Sequence, residues 1–218
     1  MKAPDYSAAC FDLDGTLIDT EPVHVEAETL CLATLGIDAS SLRHERTFGK
    51  GIEAGMMCLA ETYQLDDELV LTTYMPLWES GLRNDLTALP GVRDVLSWLR
   101  QHSIPMALVT SGDSAYVEVV DSVLGILDGF STVVTSDDVV DLKPAPAPYL
   151  KASDDLAVAP DRCIGFEDSG SGVTALCHAG MLSVAVHPDH AGRPELQQAT
   201  VRVSNLTEVM PLLPTWYR

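Results

Sequence analysis

The chain has little positive charge to offer. Its 218 residues carry 13 lysines and arginines against 32 aspartates and glutamates, a formal net charge of −19. A surface of that sign repels nucleic acid and anionic membranes, and it gives an anionic small molecule no long-range attraction. Such a ligand must be held locally, by a metal ion or a few cations, so each of the scarce lysines is informative. Long apolar runs are missing too. None reaches about 18 residues, so no membrane-spanning helix is expected. Met1-Lys2-Ala3-Pro4-Asp5 leads almost at once into an apolar strand, without the apolar core of a signal peptide. A cytoplasmic location is the default expectation. The five cysteines, Cys10, Cys31, Cys58, Cys163 and Cys177, are odd in number and include no CxxC pair. Neither a disulfide framework nor a zinc site follows from them.

What is present is concentrated in Phe11-Asp12-Leu13-Asp14-Gly15-Thr16-Leu17-Ile18-Asp19-Thr20. The apolar run Ala8-Ala9-Cys10-Phe11 before it has the length and composition of a buried strand. Residues i and i+2 of a strand share a side, so Asp12 and Asp14 leave its carboxyl end facing one spot. In an open parallel α/β sheet that end is where ligands bind. Gly15 lets the chain turn sharply there. Two carboxylates so close need a proton or a hard divalent cation between them. One could then act as a nucleophile and the other as an acid or base. Taken alone, an Asp-x-Asp pair can equally cap a turn or helix.

Residues 20 to about 85 read as consecutive helices. Pro22 to Gly36, Ile52 to Gln64 and Asp67 to Arg83 carry apolar residues at helical spacing, with a further helical piece near Ser40. The stripes expected are Val23, Ala27, Leu30 and Cys31; Met56, Met57, Leu59 and Ala60; and Leu69, Leu71, Tyr74, Leu77 and Trp78. A strand–helix rhythm resumes at Pro90 and continues to an edge strand at Val201–Val203 and a last helix at 206–213. The expected fold is therefore α/β: a Rossmann-like parallel-sheet core over 1–19 and 87–218, with a helical bundle inserted over 20–86.

Three further signals fall at predicted strand ends or in the loops after them. Thr110-Ser111-Gly112 joins a strand to a helix, where a hydroxyl and backbone N–H groups can hold an anion or simply cap the helix. Lys143 stands in Asp141-Leu142-Lys143-Pro144-Ala145-Pro146, and the prolines stiffen the loop that presents it. An exposed lysine is otherwise a solvated charge. Glu167-Asp168 ends a strand before Ser169-Gly170-Ser171-Gly172, placed either to bind a cation or to start a helix.

In this order the four segments resemble the motifs of the haloacid-dehalogenase superfamily, over about residues 7–190. The resemblance implies that Asp12 attacks phosphorus to form an aspartyl-phosphate. Asp14 would protonate the leaving oxygen and then activate water. The family's dehalogenases lack the second aspartate, so Asp14 favours phosphoryl chemistry. The resemblance further implies that Thr110, Ser111 and Lys143 bind the phosphoryl group. Mg2+ would sit on Asp12, Asp14 (through its backbone carbonyl) and Asp168, with Glu167 acting through water. The inserted helices would form a cap that selects the substrate. Relatives commonly have Gly before the lysine and Asp after the second proline, where this chain has Leu142 and Ala147. The Lys143–Pro144 bond is a candidate for the cis form, as in some relatives.

The activity implied is a Mg2+-dependent phosphatase of a small sugar or polyol phosphate. One alternative is a β-phosphoglucomutase-like enzyme, because Glu21-Pro22-Val23-His24 places His24 where that group has a histidine. The mutases also carry a later cap lysine, and this chain has only Arg83 between Asp66 and Leu89. A second alternative is a non-catalytic binding module, which would normally have lost a motif residue. Lys50, in Phe48-Gly49-Lys50-Gly51, is the candidate substrate contact from the cap. A small-molecule phosphate ester is the expected partner, with no nucleic acid and no membrane, and a monomer suffices for such a site.

Overall fold

Strand β1 (Ala8–Phe11) consists of four small or apolar residues, all buried, and the main sheet is built outward from it. The computed structural model describes residues 6–41 and 52–217. The remaining main-sheet strands are β4 (Met106–Val109), β5 (Thr132–Val134), β6 (Cys163–Glu167), β7 (Leu182–Val186) and β8 (Val201–Val203). They stand in the order β5-β4-β1-β6-β7-β8. Every pairing is parallel. The chain first extends the sheet on one side of β1 and then on the other. The strand order therefore reverses at β1, and the crevice at such a reversal is the ligand site of open α/β sheets.

Four helices follow strands of this unit: α4 (Val92–Gln101), α5 (Ser114–Leu124), α6 (Ala147–Asp155) and α7 (Gly170–Ala179). Alternation along β1 sends Ala8 and Cys10 into a core with Ala107, Val109, Val134, Tyr149, Ala152 and Leu176. Phe11 is on the opposite face and stacks on Phe166, with ring centroids 4.6 Å apart. In α4 the expected stripe of Val92, Val95, Leu96 and Leu99 is buried. The last expected helix forms instead as a 3-10 turn, Leu206–Val209, and a short helix α8, Leu213–Trp216. Pro211 has no N–H to donate and breaks the run, whereas Pro214 sits in the first turn of α8, where the missing N–H costs nothing.

The chain divides into two compact units, Met1–Asp19 with Thr87–Arg218, and Thr20–Leu86. The second unit contains α1 (Glu21–Thr34), α2 (Ile52–Tyr63) and α3 (Asp67–Asp85), and α3 packs against both α1 and α2. Asp66 caps α3 by accepting a bond from the Leu69 N–H at 2.9 Å. Most of the expected stripes are buried, Val23, Ala27 and Cys31 in α1, Met56, Leu59 and Ala60 in α2, and Tyr74 and Trp78 in α3, but each helix leaves one expected position exposed. Leu30, Met57 and Leu69 are exposed, whereas Leu32, Val70 and Leu82 are buried. Neighbouring helical positions are about 100° apart, so one residue's change in phase exchanges a buried side chain for an exposed one.

Where the chain leaves the first unit and returns to it, β2 (Ile18–Asp19) pairs antiparallel with β3 (Thr87–Ala88), Ile18 opposite Ala88 and Asp19 opposite Thr87. Two-residue strands carry no periodicity, and this ribbon had no sequence signal. Among the described residues no helix is long and apolar enough to cross a membrane.

Candidate active site

The parallel register of β1 and β6 sets Phe11 opposite Phe166, so Asp12 emerges beside Glu167. The Asp12 N–H donates to the Phe166 carbonyl at 3.0 Å. Lys143 reaches this point from the loop before α6, across a cis Lys143–Pro144 peptide. Its Nζ donates to Asp12 Oδ1 at 2.6 Å, Glu167 Oε1 at 2.7 Å and the Val109 carbonyl at 2.9 Å. Three acceptors match the three protons of an ammonium. The Lys143 side chain is only 4% exposed.

Glu167 is fully enclosed. Oε1 accepts from Lys143 and also from the Tyr149 hydroxyl at 2.8 Å. Oε2 accepts from Ser169 Oγ at 3.0 Å and, more weakly, from the Ser169 N–H at 3.3 Å. A Cβ at position 172 would overlap this carboxylate, so Gly172 is what lets α7 approach it. Tyr149 also lies beneath the ammonium, its ring centroid 5.1 Å from Nζ, a cation–π contact.

Burial dominates the electrostatics. It works against the charged form of Lys143, but the Asp12 and Glu167 carboxylates override it and raise the ammonium's pKa. Burial and then the Glu167 charge push the Asp12 carboxyl well up, with Lys143 opposing them. Asp168 is raised from 3.8 to about 7 by burial, then by Glu167 and Asp14. Burial, then the Glu167 charge, holds Tyr149 as a neutral phenol, which suits its donor role.

Asp14 accepts a bond at Oδ1 from the Tyr116 hydroxyl, 2.5 Å away. Gly15 has φ 78°, and a Cβ on it would fall on the Asp168 carboxyl. The turn thus needs glycine for its backbone and for its close approach to Asp168. Thr110 is buried at the end of β4, and its Oγ1 accepts from the Gly112 N–H at 3.0 Å, so its own hydroxyl proton can donate elsewhere. Ser111 is exposed.

Asp12, Glu167 and Asp168 offer carboxylate oxygens that all lie within 4.8 Å of one another. With Asp14, whose charge also acts on Asp168, the site gathers four carboxylates against one ammonium. Hard oxygen donors in a net negative, buried cluster fit a divalent cation and would be costly without one. His24 belongs to the other unit. Its Nδ1 is bonded to the Tyr74 hydroxyl, and its ring lies against Trp78 with centroids 4.9 Å apart. Lys50 lies outside the described residues.

Two residues of this cluster had not been singled out from sequence, Tyr116 and Tyr149. Each is an aromatic residue early in a helix after a motif loop. That position, one or two turns past Gly112 or Lys143, is the signal that could have identified them.

The family model for haloacid dehalogenase-like hydrolases matches residues 6–180. The chain is 32% identical over 212 residues to validoxylamine A 7′-phosphate phosphatase of Streptomyces hygroscopicus subsp. limoneus, covering 94% of this chain and 96% of that one. It is 30% identical over 212 residues to hexitol phosphatase B of Escherichia coli K12, covering 93% of each. A Thermotoga maritima crystal structure, described as a candidate β-phosphoglucomutase, superposes with TM-score 0.87 at 28% identity, covering 96% of this chain and 99% of that one.

Proposed function

This chain belongs to the haloacid dehalogenase-like hydrolases, and from that premise we propose that it is a Mg2+-dependent phosphatase of a sugar or polyol phosphate. The observation that carries the reading is Asp12, held by Lys143 at 2.6 Å and grouped with Glu167 and Asp168 at the strand-order reversal. The relatives named as phosphatases of hexitol and carbohydrate phosphates support the substrate class.

In the proposed reaction an Asp12 oxygen attacks phosphorus, and the bond to the leaving oxygen breaks with its electron pair going to that oxygen. Asp14 supplies the proton to the leaving alcohol. It then takes a proton from the water that cleaves the aspartyl-phosphate, which returns Asp12 as a carboxylate. Thr110 and Ser111 donate to the phosphoryl oxygens, and the Lys143 ammonium, beside Asp12, opposes their negative charge. Glu167, bonded to Lys143, Tyr149 and Ser169, orients the ammonium. Asp12, Asp168 and the Asp14 backbone carbonyl would hold the cation, which supplies positive charge against the negative charge gathering on the phosphoryl oxygens. Residues 20–86 act as the cap that reads the sugar or polyol.

The test is phosphate release from a panel of sugar, polyol and nucleotide phosphates and phosphoglycolate, with Mg2+ or EDTA. β-Glucose-1-phosphate isomerisation is followed alongside. Mg2+-dependent release with the polyol and sugar esters ranked first is expected. Isomerisation without net release would replace this reading with the mutase. His24 bears on that choice, because its Nδ1 is already engaged by Tyr74 within its own unit.

The cation should also register in stability. Asp168 has a folded-state pKa of about 7, above its ordinary 3.8. A raised carboxyl contributes stability that is complete below its unfolded value and is lost as pH rises through about 7. The metal-free protein therefore loses this contribution between mildly acidic and neutral pH, where the cation can replace it. Mg2+ at about 100 times its pH 8 Kd should raise Tm by roughly 5–10 °C at pH 8, and the same concentration should raise it by much less at pH 5. Equal gains at both pH values in a thermal melt would count against cation binding by these carboxylates.

A further inference from the structure

We propose that Tyr116 is a positioning residue for Asp14, holding its Oδ1 so that Oδ2 carries the proton to the leaving oxygen. The inference rests on the phosphatase reading, in which Asp14 is the acid–base carboxyl. An aspartate side chain turns about two bonds and can present either oxygen. The 2.5 Å bond from the Tyr116 hydroxyl removes that choice. In a carboxylic acid the carbonyl oxygen is the better acceptor, so with Oδ1 accepting from the phenol the transferable proton belongs on Oδ2. During reaction it moves from Oδ2 to the leaving oxygen as the P–O bond breaks, and Tyr116 keeps its own.

The surroundings are built for this contact. Tyr116 is in the first turn of α5, where its N–H is capped by Asp113 Oδ1 at 2.8 Å. Its ring runs alongside Gly112. A Cβ at position 112 would lie 2.5 Å from the ring's Cδ1 and 3.2 Å from Cε1. The second motif thus ends in the residue type that leaves room for the tyrosine. The hydroxyl spans from α5 to the β1 loop, 102 residues away in sequence. Packing alone would be served equally well by phenylalanine.

The test is Tyr116→Phe, which removes only the hydroxyl, assayed beside Asp14→Asn on phosphate monoesters whose leaving groups run from p-nitrophenol to simple alcohols. An alcohol needs the proton as it leaves, whereas p-nitrophenolate does not. Losing a hydrogen bond to an ionisable group is expected to cost roughly tenfold or more in kcat/KM on alkyl phosphates. On p-nitrophenyl phosphate the change should stay within about twofold, with KM little altered on either. Asp14→Asn should show the same leaving-group dependence more strongly. Equal losses on both ester classes, or none, in Tyr116→Phe while Asp14→Asn shows the dependence would overturn the proposal and leave the acid–base reading intact. Wild-type rates on alkyl phosphates in Asp14→Asn would sink the acid–base reading itself and the role of Tyr116 with it.

Discussion

Asp12→Asn should eliminate phosphate release, a loss of at least roughly 10⁴-fold, without weakening the fold. An amide oxygen is too poor a nucleophile to open a phosphate ester, and no neighbouring carboxylate can replace it. Glu167 is spent on Lys143, Tyr149 and Ser169, and Asp14 is tied to Tyr116. Stability should move the other way. Burial and the adjacent Glu167 raise the Asp12 pKa, so at neutral pH the charged form costs the folded state free energy. Asparagine keeps the shape and an acceptor for Lys143 while discarding that charge. The metal-free variant should therefore melt at or above the wild-type temperature. Mass spectrometry of acid-quenched wild-type enzyme should find one phosphoryl group on the peptide containing Asp12, and none in the variant. Full turnover in Asp12→Asn would remove Asp12 as the nucleophile. A lower melting temperature would mean that the Asp12–Lys143 ion pair is worth more to the fold than the burial of Asp12 costs.

Lys143→Met should damage both fold and activity. Methionine fills similar volume but leaves Asp12 and Glu167 facing each other in the interior without a cation. Removing one partner of a buried ion pair costs about 3–5 kcal/mol. The sign with pH follows from the ammonium's raised pKa. A lysine raised in the folded state contributes stability fully below its unfolded value, so in the wild type this contribution is constant from pH 5 to 8. In the variant the uncompensated carboxylates can be relieved only by protons, so urea unfolding should show the deficit shrinking from pH 8 to pH 5. Turnover should fall by roughly 10³-fold or more, because the charge gathering on the phosphoryl oxygens loses the cation that opposes it. Lys143→Arg separates the two effects. It keeps the charge and should recover part of the stability. A planar fork cannot place one nitrogen at 2.6–2.9 Å from Asp12, Glu167 and the Val109 carbonyl together, so activity should stay low. An arginine variant with wild-type turnover would show that charge alone matters.

Much of this site was legible because chemistry in a parallel sheet collects at strand ends, and strand ends are marked by where apolar runs stop. Asp12, Thr110 and Glu167 were visible as the polar residues closing such runs, and Lys143 as a lysine between turn prolines in a lysine-poor chain. Tyr116 and Tyr149 were not visible for a physical reason. An aromatic residue on a helix satisfies the apolar pattern whether or not its hydroxyl does anything, and the hydroxyl's partner is set by packing between distant segments. The Glu167 bonds illustrate the same limit. The carboxylate's place in the chain was clear, but its commitment to Lys143, Tyr149 and Ser169 depends on how α6 and α7 settle against β6. In the three helices of 20–86 the spacing identified helices well and buried faces less well. Leu30 and Leu69 point outward there, while Val70 and Leu82 are enclosed. Leucine alone does not tell a helix which of two adjacent positions will meet a neighbour.

The small ribbon of Ile18–Asp19 with Thr87–Ala88 has a consequence for how such a chain can change over generations. Its pairing puts Asp19 opposite Thr87, so the two ends of the sheet-bearing unit are already about 4.5–5.5 Å apart. Everything between them enters and leaves through one doorway. A segment with adjoining ends can be lengthened, trimmed or exchanged for another without altering the register of any strand in the six-stranded sheet. The helical segment is in that sense a replaceable cassette, and the six-stranded sheet with the residues at the end of β1 can be passed on unchanged while the cassette is rewritten.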